Sequence, residues 1–264
     1  MATGRDGVLA FEGGYHGLSY GALAATHYKS EYFKGPFEGQ LGQHVQHIPY
    51  GHLPDSLHDI GAVVVEPIQG RGGMRCPPKG WLQRLATLCR RDGALLVFDE
   101  IYTGFGRTGR LFGFEESQVR PDLLCLGKGM AGGFPISVCM GSAEVMDAWG
   151  ASRGEAIHTQ TFLGNPVGCA MALACLQVLE KEDLVAKAQR DGAWLEQRLK
   201  SLGNLRGRGL MRGLEVNNSL ALSRGLLEKG YIALPAGLEA EVLAIIPPLT
   251  VAQSQLEGFC DALE

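Results

Sequence analysis

Leu95-Leu96-Val97-Phe98-Asp99-Glu100 is a short apolar run that ends in two carboxylates, and Asp122-Leu123-Leu124-Cys125-Leu126-Gly127-Lys128-Gly129 is a second run that ends in a lysine between glycines. Runs of this kind are typical of strands that are buried on both faces of a parallel sheet. Ligands bind at the carboxyl ends of the strands in open α/β sheets. The two runs therefore predict a crevice that Asp99 and Lys128 share.

The neighbouring sequence extends this sheet. Further apolar runs, bounded by Gly, Pro or Asp, predict strands at Val8 to Phe11, Ala62 to Val65 and Ile136 to Met140. Between two of the runs, Gly80 to Arg91 is apolar at helical spacing and is followed by Asp92-Gly93 as a stop. The alternation of strand, helix and strand predicts an α/β fold with a mostly parallel sheet and flanking helices.

The second half of the chain changes in character. Helices are predicted at Asn165 to Glu180 and at Leu184 to Leu202. After Leu205, short β-like and helical pieces alternate at Leu210 to Val216, Leu220 to Lys229, Val242 to Ile246 and Ala252 to Leu263. We therefore predict a large α/β domain over residues 1–203 and a small C-terminal α+β domain over residues 204–264.

Composition excludes several classes of protein. The chain has 264 residues, of which 45% are hydrophobic, and its formal net charge is −4. This balance argues against nucleic acid and membrane surfaces as partners, because both attract basic patches. No apolar run is long enough to cross a membrane. The chain has seven cysteines but no C-x-x-C pair, which predicts reduced thiols in a cytosolic core and no metal site. A small-molecule partner and a cytoplasmic location are expected.

One motif suggests a dinucleotide enzyme. Gly104-Phe105-Gly106-Arg107-Thr108-Gly109 satisfies the G-x-G-x-x-G pattern. That fingerprint belongs in the turn between a strand and a helix, where the helix N-terminus meets the pyrophosphate. Here residues 99–103 intervene and no helix start follows, which favours a glycine-rich active-site loop over a nicotinamide site.

A second motif suggests a serine hydrolase. Gly17-Leu18-Ser19-Tyr20-Gly21 satisfies G-x-S-x-G, and Asp99 and His158 follow in the chain order of an α/β-hydrolase. Ser19 does not stand at the end of a predicted strand, however, so this remains a minor alternative.

The lysine and aspartate at the strand ends have a chemistry of their own. They can form a plain ion pair, or Lys128 can extend from its strand end into solvent. A buried lysine is alternatively driven toward its neutral amine, which can form a Schiff base with an aldehyde. A carboxylate is what a pyridoxal cofactor requires at its ring nitrogen, because it keeps the pyridinium protonated. These readings stay open on the two residues alone.

The wider pattern resembles the class III, or ω-type, aminotransferases of the fold type I pyridoxal-phosphate enzymes. The segments that carry the resemblance run in order along nearly the whole chain: Phe11 to Gly17, Val65 to Gly70, Phe98 to Gly109, Leu126 to Gly129, Gly132 to Pro135, Thr161 to Pro166 and Arg208 to Met211. The long segment that begins at Phe98 is highly specific for the family.

The resemblance implies a role for each matching residue. Lys128 is expected to form the Schiff base with pyridoxal 5'-phosphate and to move the proton, and Asp99 to face the pyridinium nitrogen. Tyr15 is expected over the cofactor ring with His16 beside it. In the family the position of Thr161 reaches the cofactor phosphate of a neighbouring subunit, so a homodimer with shared active sites is implied.

Two further positions carry cofactor roles by resemblance. Glu66 matches a carboxylate that braces the site, either beside the cofactor or in support of Asp99, and a purely structural role is an open alternative. Tyr102 stands where many members have a glutamine near the phenolic oxygen of the cofactor.

The chain departs from the family pattern at its start. Members carry a long segment before the part that matches Phe11 to Gly17, including a turn at a helix N-terminus that holds the cofactor phosphate. Because helix N-termini are natural anion sites, a chain that lacks this turn is expected to hold the cofactor weakly or not at all.

The expected substrate contacts also differ from the family. Leu18 stands where relatives that act on ornithine-type or 4-aminobutyrate-type substrates have an arginine. Ala244 stands where many relatives have an arginine for the carboxylate of a 2-oxo acid, and Arg71 replaces the glutamate that pairs with it. We expect Arg71 to bind the substrate carboxylate, with an orientation into solvent as the alternative.

The resulting prediction is a pyridoxal-phosphate-dependent aminotransferase that moves an amino group from an amine or ω-amino acid to a 2-oxo acid through Lys128. A catalytically impaired, truncated remnant of the family is the main alternative. A family aminomutase or racemase, which uses the same lysine and aspartate, is a lesser one.

Overall fold

A six-stranded sheet forms the larger part of the computed structural model, which describes residues 1–155 and 159–264. Its strands are β1 (Gly7–Phe11), β2 (Val45–Ile48), β3 (Ile60–Val65), β4 (Leu95–Asp99), β5 (Leu123–Leu126) and β6 (Val138–Gly141). The spatial order is β2-β1-β3-β4-β5-β6, and every neighbouring pair is parallel except β5 and β6. The predicted mostly parallel α/β sheet is confirmed, and the antiparallel direction of β6 is an addition.

Helices and short 3₁₀ turns connect these strands or follow the last of them. The helices are α1 (Tyr20–Ala25), α2 (Ser30–Lys34), α3 (Trp81–Asp92), α4 (Ala143–Met146) and α5 (Pro166–Lys181), and the 3₁₀ turns are Gly35–Gln40, Gly113–Ser117, Lys128–Ala131 and Asp147–Trp149. Helix α3 buries an apolar stripe that runs from Trp81 to Cys89. The residue after the helix is Gly93, whose φ of 68° suits a glycine at a helix C-terminus. The stripe packs with the inner residues of β1, β3 and β4 in one hydrophobic core.

A four-stranded antiparallel sheet forms the second part of the fold. Its elements are α6 (Leu184–Leu199), β7 (Leu205–Arg208), β8 (Met211–Glu215), α7 (Ser219–Glu228), β9 (Leu234–Ala236), β10 (Val242–Ile245) and α8 (Gln253–Leu263). The strand order is β7-β8-β10-β9, and β8 and β9 both pair with β10. This α+β arrangement matches the expected small C-terminal domain.

The second hydrophobic core includes a helix from before residue 204. Leu195 and Leu199 of α6 are buried in the same cluster as Leu214 of β8 and Leu243 of β10. The boundary between residues 203 and 204 stays a prediction, and α6 packs with the smaller sheet.

The expectation for the cysteines was only partly right. All seven are free, and Cys89 and Cys260 are buried as expected of core thiols. The expectation is wrong for Cys76, Cys139 and Cys169, which are exposed. Of the helices that the structure describes, none combines the length and the apolar character required to cross a bilayer.

Candidate active site

The carboxyl ends of β4 and β5 open into a cavity of about 570 Å³ between the two sheets. Asp99 is the last residue of β4, and Lys128 follows β5 after a single glycine, so both side chains line this cavity. The sequence-based prediction that the two residues share one crevice is confirmed by their position. The remaining wall comes from the loops after β1 and β3 and from the smaller sheet.

Asp99 is held by two hydrogen bonds. One carboxylate oxygen lies 2.7 Å from Nδ1 of His16, and the other accepts a hydrogen bond of 3.1 Å from the backbone N–H of Ile101. Burial opposes a charge on His16, but the hydrogen bond and the charges of Asp99 and Glu66 outweigh it, so the pKa of His16 is raised. The imidazole therefore fixes the orientation of the Asp99 carboxylate in the cavity wall.

Glu66 braces the loop that carries Tyr15 and His16. Its two carboxylate oxygens accept hydrogen bonds from the backbone N–H of Tyr15, at 2.9 Å, and of Gly70, at 3.0 Å. Burial raises the pKa of Glu66 to about 7, with the charge of Asp99 acting in the same direction and that of His16 against it. Glu66 thus joins the loops after β1 and β3 in the wall of the cavity, and its role toward a cofactor stays a prediction.

Lys128 adopts an unusual backbone conformation. Its φ is 41°, in the left-handed region that residues with a Cβ rarely occupy. Positive φ at a residue with a side chain is a form of strain that concentrates at functional sites. Partial burial lowers the pKa of the amine, although the carboxylates of Asp99 and Glu66 oppose the shift. The lowered pKa favours the neutral amine that a nucleophile or proton carrier requires.

Tyr102 lies directly beside the amine. The Nζ atom of Lys128 is 4.6 Å from the centroid of the Tyr102 ring. The ring in turn covers the backbone of Gly70 so closely that a Cβ at this position would overlap it. Gly70 is therefore required for the position of Tyr102.

Tyr15 and Arg71 face each other at the mouth of the cavity. The Arg71 guanidinium lies 4.3 Å from the centroid of the Tyr15 ring, a cation–π distance. The backbone carbonyl of Arg71 accepts a 2.9 Å hydrogen bond from Gly237, which ties this loop to the smaller sheet. Arg71 is exposed as a residue, but it lines the cavity and its guanidinium is not directed away from it.

The smaller sheet contributes an apolar wall. Ala244 of β10 and Ile246 line the cavity, as do Leu234, Pro235 and Ala236 of β9. Ala244 and Arg71, the two positions at which the resemblance led us to expect an arginine and a glutamate, both line this cavity, and Arg71 is the arginine among its described lining residues.

Thr161 is the one expected cofactor residue that the structure places elsewhere. It is exposed in the turn over residues 161–164 and is not among the residues that line the cavity. Its expected role involves a neighbouring subunit, and it stays a prediction.

Neither alternative motif forms the site that its pattern suggested. The loop over residues 104–109 continues in turns without a helix, and Arg107 in it bonds to Leu210 and Pro247 of the smaller part. The expected glycine-rich active-site loop does not line this cavity, but it lines an adjoining cavity of about 510 Å³ that also contains Lys128 in its wall. Ser19 is exposed at the start of α1 and does not line the cavity. His158, the third member of the hydrolase pattern, lies outside the described residues.

Sequence reasoning missed several residues of the cavity wall. Tyr28 contacts the rings of Tyr15 and Phe33 edge-on or tilted, and residues 232–236 reach the cavity from the smaller sheet. The aromatic spacing Tyr28, Tyr32, Phe33 was the available signal for the first group. Only tertiary packing brings the second group to the site.

The donor set of the cavity fits the heterocycle and the aldehyde of pyridoxal phosphate. A carboxylate, an aromatic ring and a primary amine of lowered pKa, provided by Asp99, Tyr15 and Lys128, line one space. These are the groups that such a cofactor requires at its ring nitrogen, its ring face and its aldehyde.

Comparison with known proteins gives one consistent result. The family model for aminotransferase class-III matches residues 1–264. The chain is 40% identical to the acetylornithine aminotransferase of Methanopyrus kandleri, over 97% of this chain and 66% of that protein. It is 38% identical to the acetylornithine aminotransferase of Mycolicibacterium smegmatis, over 99% of this chain and 67% of that protein.

Solved structures give the same picture. The ornithine aminotransferase of Toxoplasma gondii, whose active site holds pyridoxal phosphate at partial occupancy, superposes with a TM-score of 0.89 at 33% identity and covers 98% of this chain and 64% of that one. A transaminase from the marine bacterium Virgibacillus superposes with a TM-score of 0.87 at 25% identity, over 97% of this chain and 66% of that one. The chain thus spans about two thirds of the length of these proteins.

Proposed function

Because the chain belongs to the class III aminotransferases, we propose that it moves an amino group from an amine or ω-amino acid to a 2-oxo acid with pyridoxal 5'-phosphate as cofactor. The observation that carries the proposal is the shared cavity, in which the amine of Lys128 and the carboxylate of Asp99 meet at the carboxyl ends of adjacent strands. The acetylornithine and ornithine aminotransferases among its relatives favour an ω-amino acid as donor.

The residues of the chain divide the work between them. When bound, the cofactor supplies an electron sink for the carbon that carries the amino group. Lys128 would take a proton from that carbon and pass it to the cofactor, and in the second half of the reaction it would move a proton in the opposite direction, which its lowered pKa allows. Asp99, whose orientation His16 fixes, would keep the ring nitrogen protonated, and Tyr15 would cover the ring face.

Arg71 is the proposed carboxylate-binding residue. Arg71 lines the cavity, as does Ala244, so a substrate carboxylate in the cavity can pair with the guanidinium of Arg71. Arg71→Ala should raise KM for a 2-oxo acid at least tenfold. It should leave KM for an amine donor that has no carboxylate within twofold of the wild-type value. Equal changes in the two KM values would contradict this role.

The chain is further proposed to act in the cytoplasm as a homodimer in which Thr161 approaches the phosphate bound by the partner. The exposed position of Thr161 leaves it accessible to such a partner. Thr161→Val should weaken retention of the cofactor without a change in the folded structure of the chain.

Borohydride trapping tests the proposed chemistry directly. The chain is incubated with pyridoxal phosphate, reduced with borohydride and digested, and the labelled peptide is identified by mass spectrometry. Label should appear on Lys128 and vanish in Lys128→Ala, while Lys200→Ala, which removes an exposed lysine, should label as the wild type does. Label spread over surface lysines, or its persistence in Lys128→Ala, would refute the proposal.

A further inference from the structure

Cys125 and Cys139 face each other across two adjacent strands. They are the two cysteines of this chain that lie in strands, and the antiparallel register pairs them directly. Directly opposed residues of an antiparallel pair project from the same face of the sheet. The two thiols therefore face each other on one side of the sheet.

The type of pairing brings the two backbones close. The carbonyl of Cys125 accepts a 2.9 Å hydrogen bond from the N–H of Glu100, on the β4 side of β5. Because the N–H and the carbonyl of one strand residue point the same way, Cys125 forms no backbone hydrogen bonds with Cys139, and the pair is of the narrow type. Such pairs have Cα atoms about 4.5 Å apart, within the range that a disulfide bridges.

The two thiols also differ in a way that suits stepwise oxidation. Cys139 is exposed and Cys125 is half-buried. A hydrogen bond from Cys125 lowers the pKa of the Cys139 thiol to about 6, and the same bond, together with burial, raises the pKa of Cys125. Cys139 is thus the accessible thiolate, and Cys125 is a resolving thiol that faces it.

We propose that Cys125 and Cys139 form a peroxide-sensitive dithiol that closes into a disulfide across β5 and β6. The Cys139 thiolate attacks one oxygen of hydrogen peroxide, the O–O bond breaks, and the hydroxide that leaves takes up a proton to become water. The sulfur of Cys125 then attacks the resulting sulfenic acid and releases its proton, the S–O bond breaks, and a second water leaves. The two sulfurs lose two electrons in total, and one peroxide is reduced to two waters.

The position of the bond gives it a consequence for the site. A disulfide between residues 125 and 139 encloses the segment over residues 126–138, which carries Lys128. On the neighbouring strand the register partner of Cys125 is Asp99. Closure therefore restrains the base of the loop that holds the cavity amine, and it does so whether or not the proposed transamination takes place.

Peptide mapping after mild oxidation tests the proposal. The reduced chain is treated with an equimolar amount of hydrogen peroxide, its free thiols are blocked with iodoacetamide, and it is digested with trypsin. Cleavage after Lys128 separates the two cysteines into the peptides 111–128 and 129–153. The two peptides should be found disulfide-linked in the wild type and in Cys169→Ser, should be absent as a linked pair in Cys139→Ser, and should separate on addition of dithiothreitol.

Two further measurements separate this role from simple proximity. Cys139 should react with iodoacetamide at pH 7 about tenfold more slowly in Cys125→Ala, because the hydrogen bond that stabilises its thiolate is lost. The oxidised wild type should unfold about 5 °C above the reduced form, and peroxide should cause no such shift in Cys139→Ser. Circular dichroism checks that each variant is folded.

Three results would overturn the proposal. They are conversion of Cys139 to sulfinic or sulfonic acid without a linked peptide, a link from either residue to another cysteine, and an unchanged alkylation rate of Cys139 in Cys125→Ala. Borohydride labelling of Lys128 in the reduced chain is a separate result, so failure of the dithiol proposal is distinguishable from failure of the proposed enzyme function.

Discussion

The backbone of Lys128 is strained, and the cost of the strain can be measured by substitutions at this single residue. Its φ of 41° costs about 1 to 2 kcal/mol for any residue with a Cβ. Glycine removes that cost but gains freedom in the unfolded chain, which offsets about 0.5 to 1 kcal/mol. Lys128→Gly should therefore be more stable than Lys128→Ala by about 0.5 to 1 kcal/mol, as measured by urea unfolding.

Both variants lack the amine, so they differ only in how well the new residue tolerates the positive φ. Lys181, an exposed lysine in the last turn of α5, is the matched control. There the order should reverse, with Lys181→Ala more stable than Lys181→Gly, because a helical φ suits alanine. A more stable alanine at both positions would show that Lys128 is not strained.

Glu100 gives a pH-dependent prediction. It is fully buried and accepts hydrogen bonds from the hydroxyl of Thr103 and from the backbone N–H groups of Gly113 and Phe114. Burial outweighs these donors and raises the pKa of Glu100 to about 7 from an ordinary value of 4.5. A carboxyl whose pKa is raised on folding contributes stability that is complete below pH 4.5 and is lost as the pH rises through 7.

Glu100→Gln removes this titration. Between pH 5 and 8.5 the free energy of unfolding of the wild type should fall by roughly 2 to 3 kcal/mol more than that of the variant. The measurement is urea unfolding at both pH values. Parallel pH profiles for the two proteins would contradict the raised pKa.

At the residue scale, the sequence was sufficient for Asp99 and Lys128 because each follows a strand, and strand ends of a parallel sheet meet at one edge. It was not sufficient for the His16 to Asp99 hydrogen bond or for the stacking of Arg71 on Tyr15. Those contacts join residues far apart in the chain, and only the packed loops determine them. The catalytic and binding roles of these residues remain predictions.

At the element scale, replacement of a helical glycine by alanine is expected to have opposite effects on stability at two positions. Gly192 in α6 lies against the backbone of Gly209, where a Cβ would overlap it, and its carbonyl accepts a 3.0 Å hydrogen bond from Arg212. Gly225 in α7 has open space around its missing Cβ. Gly192→Ala should destabilise the chain by about 1 to 3 kcal/mol, whereas Gly225→Ala should stabilise it by about 0.5 to 1 kcal/mol.

Urea unfolding of the two variants checks both signs. The pair is matched, since each substitution adds one methyl group to the interior of a helix in the same part of the fold. A stabilising effect at Gly192 would mean that α6 can move away from the segment that contains Gly209.

The elements that the sequence predicted are those with a strong apolar pattern. The strands β3, β4 and β5 and the helix α3 were expected within a few residues of their observed bounds. The strands β2 and β7 were missed because their residues are half-buried or exposed at sheet edges and alternate with polar or glycine residues. The strand β9 was missed because it has only three residues, one of which is a proline. The direction of β6 could not be read from its composition, since an apolar run fits either orientation.

At the scale of the whole molecule, α5 stands out as an apolar helix with little cover. Asn165 caps its N-terminus, because the side chain accepts hydrogen bonds from the N–H groups of Val167 and Gly168, at 3.0 and 3.1 Å. Gly168 is its only buried residue, while Leu173 and Leu176 are 58% and 40% exposed. A helix that is apolar around most of its circumference is normally covered by protein, so an exposed surface of this kind favours association.

The chain should therefore self-associate in a concentration-dependent way, and the double variant Leu173→Glu/Leu176→Glu should shift it toward the monomer. Sedimentation velocity over a hundredfold range of concentration measures this directly, and about a tenfold weakening of association is expected because two charges would have to be buried. Leu227→Glu, at a leucine of α7 that is 60% exposed, is the control and should leave the association unchanged. If the wild type stays monomeric at every concentration, or if Leu227→Glu disrupts association equally, the surface of α5 is not the cause. The result also bears on the proposed shared active site. If a second copy binds at a surface other than α5, Thr161 would have to approach the partner from that other surface.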